Sequence, residues 1–339
     1  MADRGKNGRI TIQDVATAAG VSRTAVYAVL NAGKDINTGV SETLRQKIKD
    51  TVKRMGYIPN NSARSLVSGK TCNVGIIFPD YWLLGELAEV FDRSGYMIFP
   101  LIHKNDPMLE RRSIELLISR GVDAIIISRT SPNNNTELLR RVMIHGIPLI
   151  IIAEEREGFP ESRHVIFDEH RGMALPVEFM AEHGMRHFAL VSDDAIHSGQ
   201  TRLQYAVEAV RQIPDSKIFT CPSINNRTMA LEIANEIKRL SPGKRPQAMI
   251  NIGDQLAWLM IEALQTVGLR VPEDIQVTGI GNDESRYHLM PLTTVELSSR
   301  EMAQCCYSAF DDTLHHRPQK LYVVKPELVV RKSAPGKII

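Results

Sequence analysis

The sequence predicts an α/β protein, with a small all-α segment at its amino end and a larger body of doubly wound parallel sheets. Three observations predict this class. Residues 11–56 carry short helical patterns and no strand-like run. From residue 72 onward, short β-branched runs alternate with helical stretches, which is the pattern of parallel strands joined by crossover helices. The length of 339 residues suffices for a small domain followed by a large two-part body.

Three helices are predicted in the amino-terminal segment. Thr11 is a good N-cap residue for the first helix, which ends at Gly20. Ser22 can cap the second helix, and the third follows Ser41 and ends at Gly56. The apolar positions repeat at helical spacing, so that each helix has one face suited to a shared core. These positions are Ile12, Val15, Ala16, Ala19, Val26, Val29, Leu30, Leu44, Ile48, Val52 and Met55.

A helix, a short turn with a central glycine and a second helix together form the helix-turn-helix pattern. The outward positions of the second helix then enter the major groove of DNA. Arg23 can bind a guanine edge in bidentate fashion, Thr24 can hydrogen-bond a base, and Ala28 can contact a thymine methyl group. Thr11, Ser22 and Tyr27 are expected at the DNA backbone, where hydroxyl groups and helix N-termini suit phosphates. The alternative is an ordinary three-helix packing module with no ligand.

Charge favours the DNA-binding interpretation. Residues 1–70 contain 12 Lys/Arg against 5 Asp/Glu, a net charge of +7, whereas the whole chain has a net charge of only +2. A basic segment attached to a mildly acidic body indicates a polyanionic partner for that segment.

The stretch from residue 57 to residue 70 is short, polar and rich in serine, with Leu66 as its one strong apolar residue. Such a linker is too short to be a stable free helix, and it is expected to fold when it binds. A helix that presents a single leucine suits insertion into a minor groove. We therefore predict a hinge that contacts the minor groove through Leu66.

The body is predicted to contain eight strands arranged as two doubly wound halves, with an irregular stretch near 158–168. Ligands bind such folds at the carboxyl ends of the strands, here in a cleft between the halves. The predicted strands are Val74–Phe78, Met97–Leu101, Ala124–Ser128, Leu149–Ile152, His187–Val191, Lys217–Thr220, Ala248–Ile252 and Ile275–Ile280. The predicted helices are Leu109–Ser119, Glu137–Ile144, Met173–Glu182, Arg202–Arg211, Met229–Leu240 and Gln255–Val267.

The run TIQDVATAAGVSRTAVYAVLN, followed by VSETLRQKIKDTVKRMGYIPNNSARSLVSGKT, resembles the head and hinge of the LacI/GalR family of transcription regulators. Looser similarity continues through the body in GVDAIIIS, EHGMRHFALVS and VGLRVPEDIQVTGIG. By resemblance, Arg23, Thr24 and Ala28 occupy base-reading positions and Leu66 the minor-groove position. The resemblance also implies minor-groove contacts by Ala63, on the same face of the hinge helix, and by Asn60. The resemblance also implies a body like the periplasmic binding proteins, which binds an effector and dimerises.

This similarity predicts the domain organisation. The helix-turn-helix head spans 9–59, the hinge 60–71 and the body 72–335. Within the body, one subdomain is expected at about 72–168 plus 294–320, and the other at about 169–292 plus 321–332.

The effector site departs from the family's pattern, although Arg202 occupies the position of the family's arginine. The remaining candidate contacts are Asp254 and Asp283, which are displaced from the usual acidic positions. Glycine or alanine stands at those positions, Gly253, Gly281 and Ala153. Because the arginine is present and several of the family's carboxylates are absent, we expect an anionic effector rather than a neutral sugar. Complete loss of effector response is the alternative.

The function predicted is a repressor that binds a pseudo-palindromic operator as a homodimer, or as a tetramer, and responds to a sugar, a sugar phosphate or another anionic metabolite. The rival is an enzyme or binding protein whose doubly wound body performs the main activity. No catalytic signature or complete cofactor motif is found. His183 and His187 have the spacing of metal ligands on a helix, but Gly184 between them breaks the helix. We therefore expect no enzyme activity, no metal and no cofactor. No apolar run approaches the roughly 18–20 residues that span a bilayer, and we expect a cytoplasmic, nucleoid-associated protein.

Overall fold

The computed structural model describes residues 10–31, 40–58, 69–131, 133–152, 159, 161–193, 199–282 and 289–336, and the chain divides into two compact units between Thr71 and Cys72. The first unit contains three helices in its described residues: α1 (Ile12–Ala19), α2 (Arg23–Asn31) and α3 (Glu42–Met55). In the described part of the second unit, the strands form two six-stranded sheets with helices around them.

The helix ends of the first unit lie where the sequence predicts them. Thr11 and Asp14 form a reciprocal capping box at the start of α1, and Ser41 caps α3 through the Leu44 N–H group. Gly20 and Gly56 end these helices with φ values of 67° and 65°, a left-handed conformation that glycine adopts without a steric penalty.

The three helices share one small core. Its fully buried members come from all three helices, and they fall on the apolar faces that the sequence indicates. They are Val15, Ala16, Ala19, Val26, Val29 and Ile48. The short side chain of Ala16 allows the close packing of helices at the turn, and the predicted inner faces are confirmed.

The first sheet of the body is entirely parallel. Its strands are β1 (Asn73–Phe78), β2 (Met97–Ile102), β3 (Ala124–Ser128), β4 (Leu149–Ile152), β5 (Arg163–Phe167) and β11 (Leu321–Val324), in the order β11-β5-β4-β3-β1-β2. Strands β1, β3 and β4 are almost completely buried, as expected for parallel strands covered on both faces.

The second sheet is parallel apart from one edge strand. Its strands are β6 (His187–Val191), β7 (Lys217–Thr220), β8 (Ala248–Asn251), β9 (Gln276–Gly281), β10 (Thr293–Glu296) and β12 (Glu327–Val329), in the order β12-β10-β9-β8-β6-β7. Strand β12 is antiparallel to β10. The predicted α/β class with two parallel-dominated sheets is therefore confirmed.

Helices alternate with these strands along the chain. They are α4 (Leu84–Asp92), α5 (Pro107–Arg120), α6 (Thr136–Ile144), α7 (Glu169–Glu182), α8 (Gly199–Arg211), α9 (Arg227–Arg239), a 3-10 turn (Pro242–Lys244), α10 (Asp254–Thr266) and α11 (Ser299–Leu314).

The described residues of the body contain twelve strands where eight are predicted, and two further assignments are wrong. The stretch near 158–168, expected to be irregular, contains β5. Strand β10 lies in the second sheet and β11 in the first, so that the predicted boundaries of the segments 294–320 and 321–332 are displaced, whereas the helix between them packs on the first sheet and β12 lies in the second, as predicted. The reason is that the described chain passes between the sheets after β5, after β10 and again after β11. Such short strands carry no periodicity of their own that identifies the sheet they join.

Buried Arg163 explains how a strand that begins with a charged residue can lie in the sheet. Its guanidinium donates to the carbonyl oxygens of Asp312, Arg317 and Pro318 at 3.3, 2.6 and 2.8 Å. It also donates to Thr313 Oγ1 at 3.2 Å. Carbonyl groups at the end of a helix have no partner within the helix, and here a side chain of β5 supplies one. Arg163 thus ties the first sheet to the end of α11.

The Asp312 carboxylate lies beside this site and accepts three hydrogen bonds. The donors are the hydroxyl of Tyr322, Arg317 Nη1 at 2.8 Å and Lys320 Nζ at 3.1 Å. Hydrogen bonds from these donors favour the ionised carboxylate. The Tyr322 hydroxyl has the largest effect, followed by the two cations, and together they hold the pKa of Asp312 well below its usual range.

We expect the stabilising effect of Asp312 to disappear in acid. A carboxyl whose pKa is lowered by folding stabilises the folded state above its unfolded pKa of about 4, and this stability is lost as the pH falls through the lower folded value. The Asp312→Asn variant should therefore be less stable than wild type at pH 7. The difference should shrink steadily below about pH 4. Urea unfolding of both proteins between pH 7 and pH 2 measures it, and a difference that stays constant with pH would contradict this assignment.

The four cysteines, Cys72, Cys221, Cys305 and Cys306, are free thiols. Burial raises the pKa of Cys221 to about 12 and also raises the pKa values of Cys305 and Cys306. These three thiols are therefore protonated at neutral pH, which makes them poor nucleophiles and poor metal ligands.

Candidate functional site

The exposed start of α2 is the candidate nucleic-acid interface. Ser22 Oγ accepts the Ala25 N–H group at 3.2 Å, which caps the helix as the sequence predicts. Arg23 and Thr24 follow in the first turn, and both are exposed. The opposite face of the helix is buried in the core through Val26 and Val29. The helix therefore presents a cationic side chain and a hydroxyl group to solvent at its positive end.

The other predicted contacts of the head are less exposed or already have partners. Tyr27 and Ala28 are half-buried at the next turn of α2. The Thr11 hydroxyl donates to Asp14 Oδ2 at 2.7 Å and accepts the Asp14 N–H group at 3.3 Å. The backbone N–H and the hydroxyl of Thr11 lower the pKa of Asp14. Thr11 thus fixes the start of α1, and a phosphate would have to share these groups.

The predicted hinge residues Asn60, Ala63 and Leu66 lie outside the described residues, and so do Ala153 and the effector candidate Asp283.

Arg202 lies in the first turn of α8, beside the end of β8. It forms a bidentate ion pair with Glu169, with Nε and Nη2 donating to the two carboxylate oxygens at 2.6 and 2.8 Å. Arg202 Nη1 also donates to the Ile252 carbonyl oxygen at 3.1 Å. Sequence reasoning missed Glu169, because the two residues are 33 positions apart and belong to different helices. The pairing weighs against the expected anionic effector, since the arginine already has a carboxylate partner.

Asp254, the second effector candidate, is buried at the start of α10. Its Oδ1 atom accepts the Thr294 hydroxyl at 2.5 Å and packs so closely over Gly279 that a Cβ atom there would collide with it. Nearby, buried Asn251 donates to the Thr278 carbonyl oxygen at 2.9 Å. These contacts attach the start of α10 to the second sheet. Asp254 is therefore placed for packing, and only Arg202 among the described candidates is partly exposed.

The carboxyl end of the first sheet carries polar groups that sequence reasoning did not select. His103 is buried, with Nε2 donating to the Ser128 carbonyl oxygen at 2.8 Å and Nδ1 accepting the Asn105 N–H group at 3.1 Å. Two exposed aromatic residues, Tyr81 and Trp82, follow β1. No motif singles out these side chains, and the signal that could have found them is their position just after the carboxyl ends of parallel strands.

Among the described residues, no group of three His, Cys, Asp or Glu side chains is placed to hold a metal ion. In the same residues, no helix is both long enough and apolar enough to cross a membrane.

Two family models match the chain. The family described as bacterial regulatory proteins, lacI family, matches residues 11–60, and the periplasmic binding protein-like domain matches residues 177–334. The first match covers the three helices of the first unit. The second covers all six strands of the second sheet and also β11, which lies in the first sheet.

Curated relatives are similar over almost the whole length. The HTH-type transcriptional regulator DegA of Bacillus subtilis is 29% identical, and the alignment covers 96% of this chain and 98% of DegA. The HTH-type transcriptional repressor PurR of Pasteurella multocida is 26% identical, with 97% and 99% covered.

Solved structures share the fold. A Lac repressor dimer bound to operator and the anti-inducer ONPF has a TM-score of 0.79 at 22% identity, covering 96% of this chain and 99% of that one. A lacI family regulator from Enterococcus faecium with bound ribose has a TM-score of 0.63 at 21% identity, covering 77% of this chain and 98% of that one.

Proposed function

Because this chain belongs to the lacI family of bacterial regulatory proteins, with a DNA-binding helix-turn-helix and a periplasmic-binding-protein-like body, we propose that it is a repressor that binds a pseudo-palindromic operator as a homodimer. It is a transcriptional regulator, as its relatives are. The observation that carries the proposal is the exposed pair Arg23 and Thr24 at the capped start of α2. A symmetric dimer follows from the operator, since two inverted half-sites require two heads.

Each part of the head has a proposed role. Arg23, Thr24 and Ala28 read base edges in the major groove, and Thr11, Ser22 and Tyr27 contact the DNA backbone. The hinge, residues 60–71, contacts the minor groove through Asn60, Ala63 and Leu66. The head at 9–59 and the body at 72–335 complete the proposed domain organisation. Because its target is chromosomal DNA, we place the protein in the cytoplasm at the nucleoid.

The body is proposed to bind a small-molecule effector at the carboxyl ends of its strands, the usual ligand position in open parallel sheets. Arg202 is the proposed contact with the best support, because it is partly exposed beside the end of β8. Asp254, at the start of α10, and Asp283, which lies outside the described residues, remain candidates. The ribose bound by the Enterococcus faecium regulator supports a sugar or a related metabolite as the effector.

Mobility-shift titrations on fragments of the source genome test the DNA-binding proposal. At ~150–200 mM salt, non-specific phosphate contacts are strongly weakened, so that only fragments with an operator should be retained. A few fragments should bind at nanomolar concentrations. Uniform binding of all fragments, or no binding of any, would contradict a sequence-specific regulator.

A further inference from the structure

The ion pair between Arg202 and Glu169 leaves little of the arginine free for a charged ligand. Three donors of the guanidinium are engaged, two by Glu169 and one by the Ile252 carbonyl oxygen. A guanidinium can bind a carboxylate or phosphate in bidentate fashion at two edges. Glu169 occupies the edge formed by Nε and Nη2, and the Ile252 carbonyl oxygen engages Nη1 of the other edge.

The pair is also shielded from solvent. The side chains of Arg202 and Glu169 are 13% and 22% exposed, so water screens their charges only in part. The guanidinium charge is balanced by the Glu169 carboxylate at hydrogen-bond distance. A second anion at this arginine would face repulsion from Glu169 without a matching gain in attraction.

Glu169 is held in place by the backbone around it. Asp168, directly before it, caps α7 by accepting the Arg171 N–H group at 2.9 Å, and its own N–H group donates to the Val324 carbonyl oxygen at 3.1 Å. Gly172, in the same first turn, lies against the ring of Phe167. The start of α7 is thereby fixed between β5 and β11, and the carboxylate cannot leave Arg202 through a shift of the helix without breaking these contacts.

We propose that Glu169 is a specificity-determining residue of the effector site: it acts as a built-in counter-ion of Arg202 that excludes phosphorylated and carboxylated ligands and restricts the site to uncharged ones. This inference rests on the effector function proposed for the body. An uncharged ligand rich in hydroxyl groups suits the pair, because the remaining guanidinium N–H groups can donate to it and the carboxylate oxygens can accept from it. It replaces the anionic effector that the sequence alone favours.

Inorganic phosphate is the probe for this proposal, measured by titration calorimetry and by thermal shift at constant ionic strength. Wild type should show no saturable binding. The Glu169→Gln variant keeps the size of the side chain and removes its charge, so it should bind phosphate at Arg202 with an affinity at least roughly tenfold above any seen in wild type. The double variant Glu169→Gln/Arg202→Met should lose that binding.

Glu178→Gln is the matched control. Glu178 is on the same helix and pairs with Arg171 at 2.7 Å, but both side chains are nearly half exposed, at 45% and 47%. Removing the charge of Glu178 leaves Arg171 without its partner, but this should create no phosphate binding, because water screens the exposed charge of Arg171. Equal phosphate binding by Glu178→Gln and Glu169→Gln would overturn the proposal.

Two further results would also overturn it: phosphate binding by wild type that is lost in Arg202→Met, or a folded Glu169→Gln variant that gains no phosphate affinity. If Glu169→Gln does not fold, the proposal can still be tested on the wild-type protein. Its binding to a panel of neutral sugars and their phosphates, including ribose and ribose 5-phosphate, is then measured. Every ligand found should be uncharged, and an anionic ligand that depends on Arg202 would refute the inference. Operator binding, measured on the same proteins without ligand, reports separately on the proposed function.

Discussion

Replacing Arg23 by alanine is expected to weaken the discrimination between operator and unrelated DNA strongly while leaving the fold intact. The side chain is exposed at the start of α2 and takes no part in the core of the head. A bidentate arginine–guanine contact contributes about 1–3 kcal/mol of discrimination. Two heads bind each operator, so the loss in a dimer is about 2–6 kcal/mol, or ~30-fold and upward in affinity.

Fluorescence-anisotropy titrations with operator and scrambled duplexes, at ~150 mM salt, measure this effect. Arg23→Lys is the matched control, because lysine keeps the charge but has no planar fork for bidentate binding. It should bind scrambled DNA as wild type does and still lose as much operator preference as Arg23→Ala does. If Arg23→Ala lowers the affinity for both duplexes by the same factor, Arg23 contacts phosphate and does not read a base.

The Arg163→Met substitution is expected to destabilise the body by about 3–5 kcal/mol. The reason is that four acceptors at and just after the end of α11 lose their buried donor, and each acceptor left without a partner costs roughly 1–3 kcal/mol before local relaxation. These acceptors are the carbonyl oxygens of Asp312, Arg317 and Pro318 and the hydroxyl of Thr313. Methionine retains most of the side-chain volume, so that the loss of hydrogen bonds dominates over the loss of packing. Urea unfolding at pH 7 measures the change.

Arg171→Met serves as the control for this experiment. Arg171 pairs with Glu178 on the surface of α7, where an ion pair contributes at most about 1 kcal/mol. A destabilisation of the same size in both variants would show that the contacts of Arg163 have no special role in holding β5 to α11.

The head could be predicted almost to the residue because its signals are local. A capping residue, an apolar face and a terminal glycine lie within a few positions of one another in α1, and each is read directly from the sequence. Ser22 illustrates this, since its capping bond to Ala25 spans only three positions.

The body could be predicted only in part because its remaining features depend on distant residues. Arg163 and His164 make the start of β5 look irregular until the end of α11 is placed against it, about 150 positions later in the chain. Likewise, the sequence marks Arg202 as a ligand contact but gives no sign that Glu169 neutralises it. The burial of Asp254 under Thr294 depends on a pairing between α10 and β10 that no local pattern encodes.

The central claim is that α2 reads a specific sequence, and selection of binding sites from a random DNA pool tests it most directly. Wild type should enrich an inverted repeat, with two half-sites about one or more helical turns apart. Selection with Arg23→Ala should return the same repeat with one guanine position in each half-site no longer specified. Recovery of no common sequence by wild type, or of the same fully specified repeat by both proteins, would contradict the account.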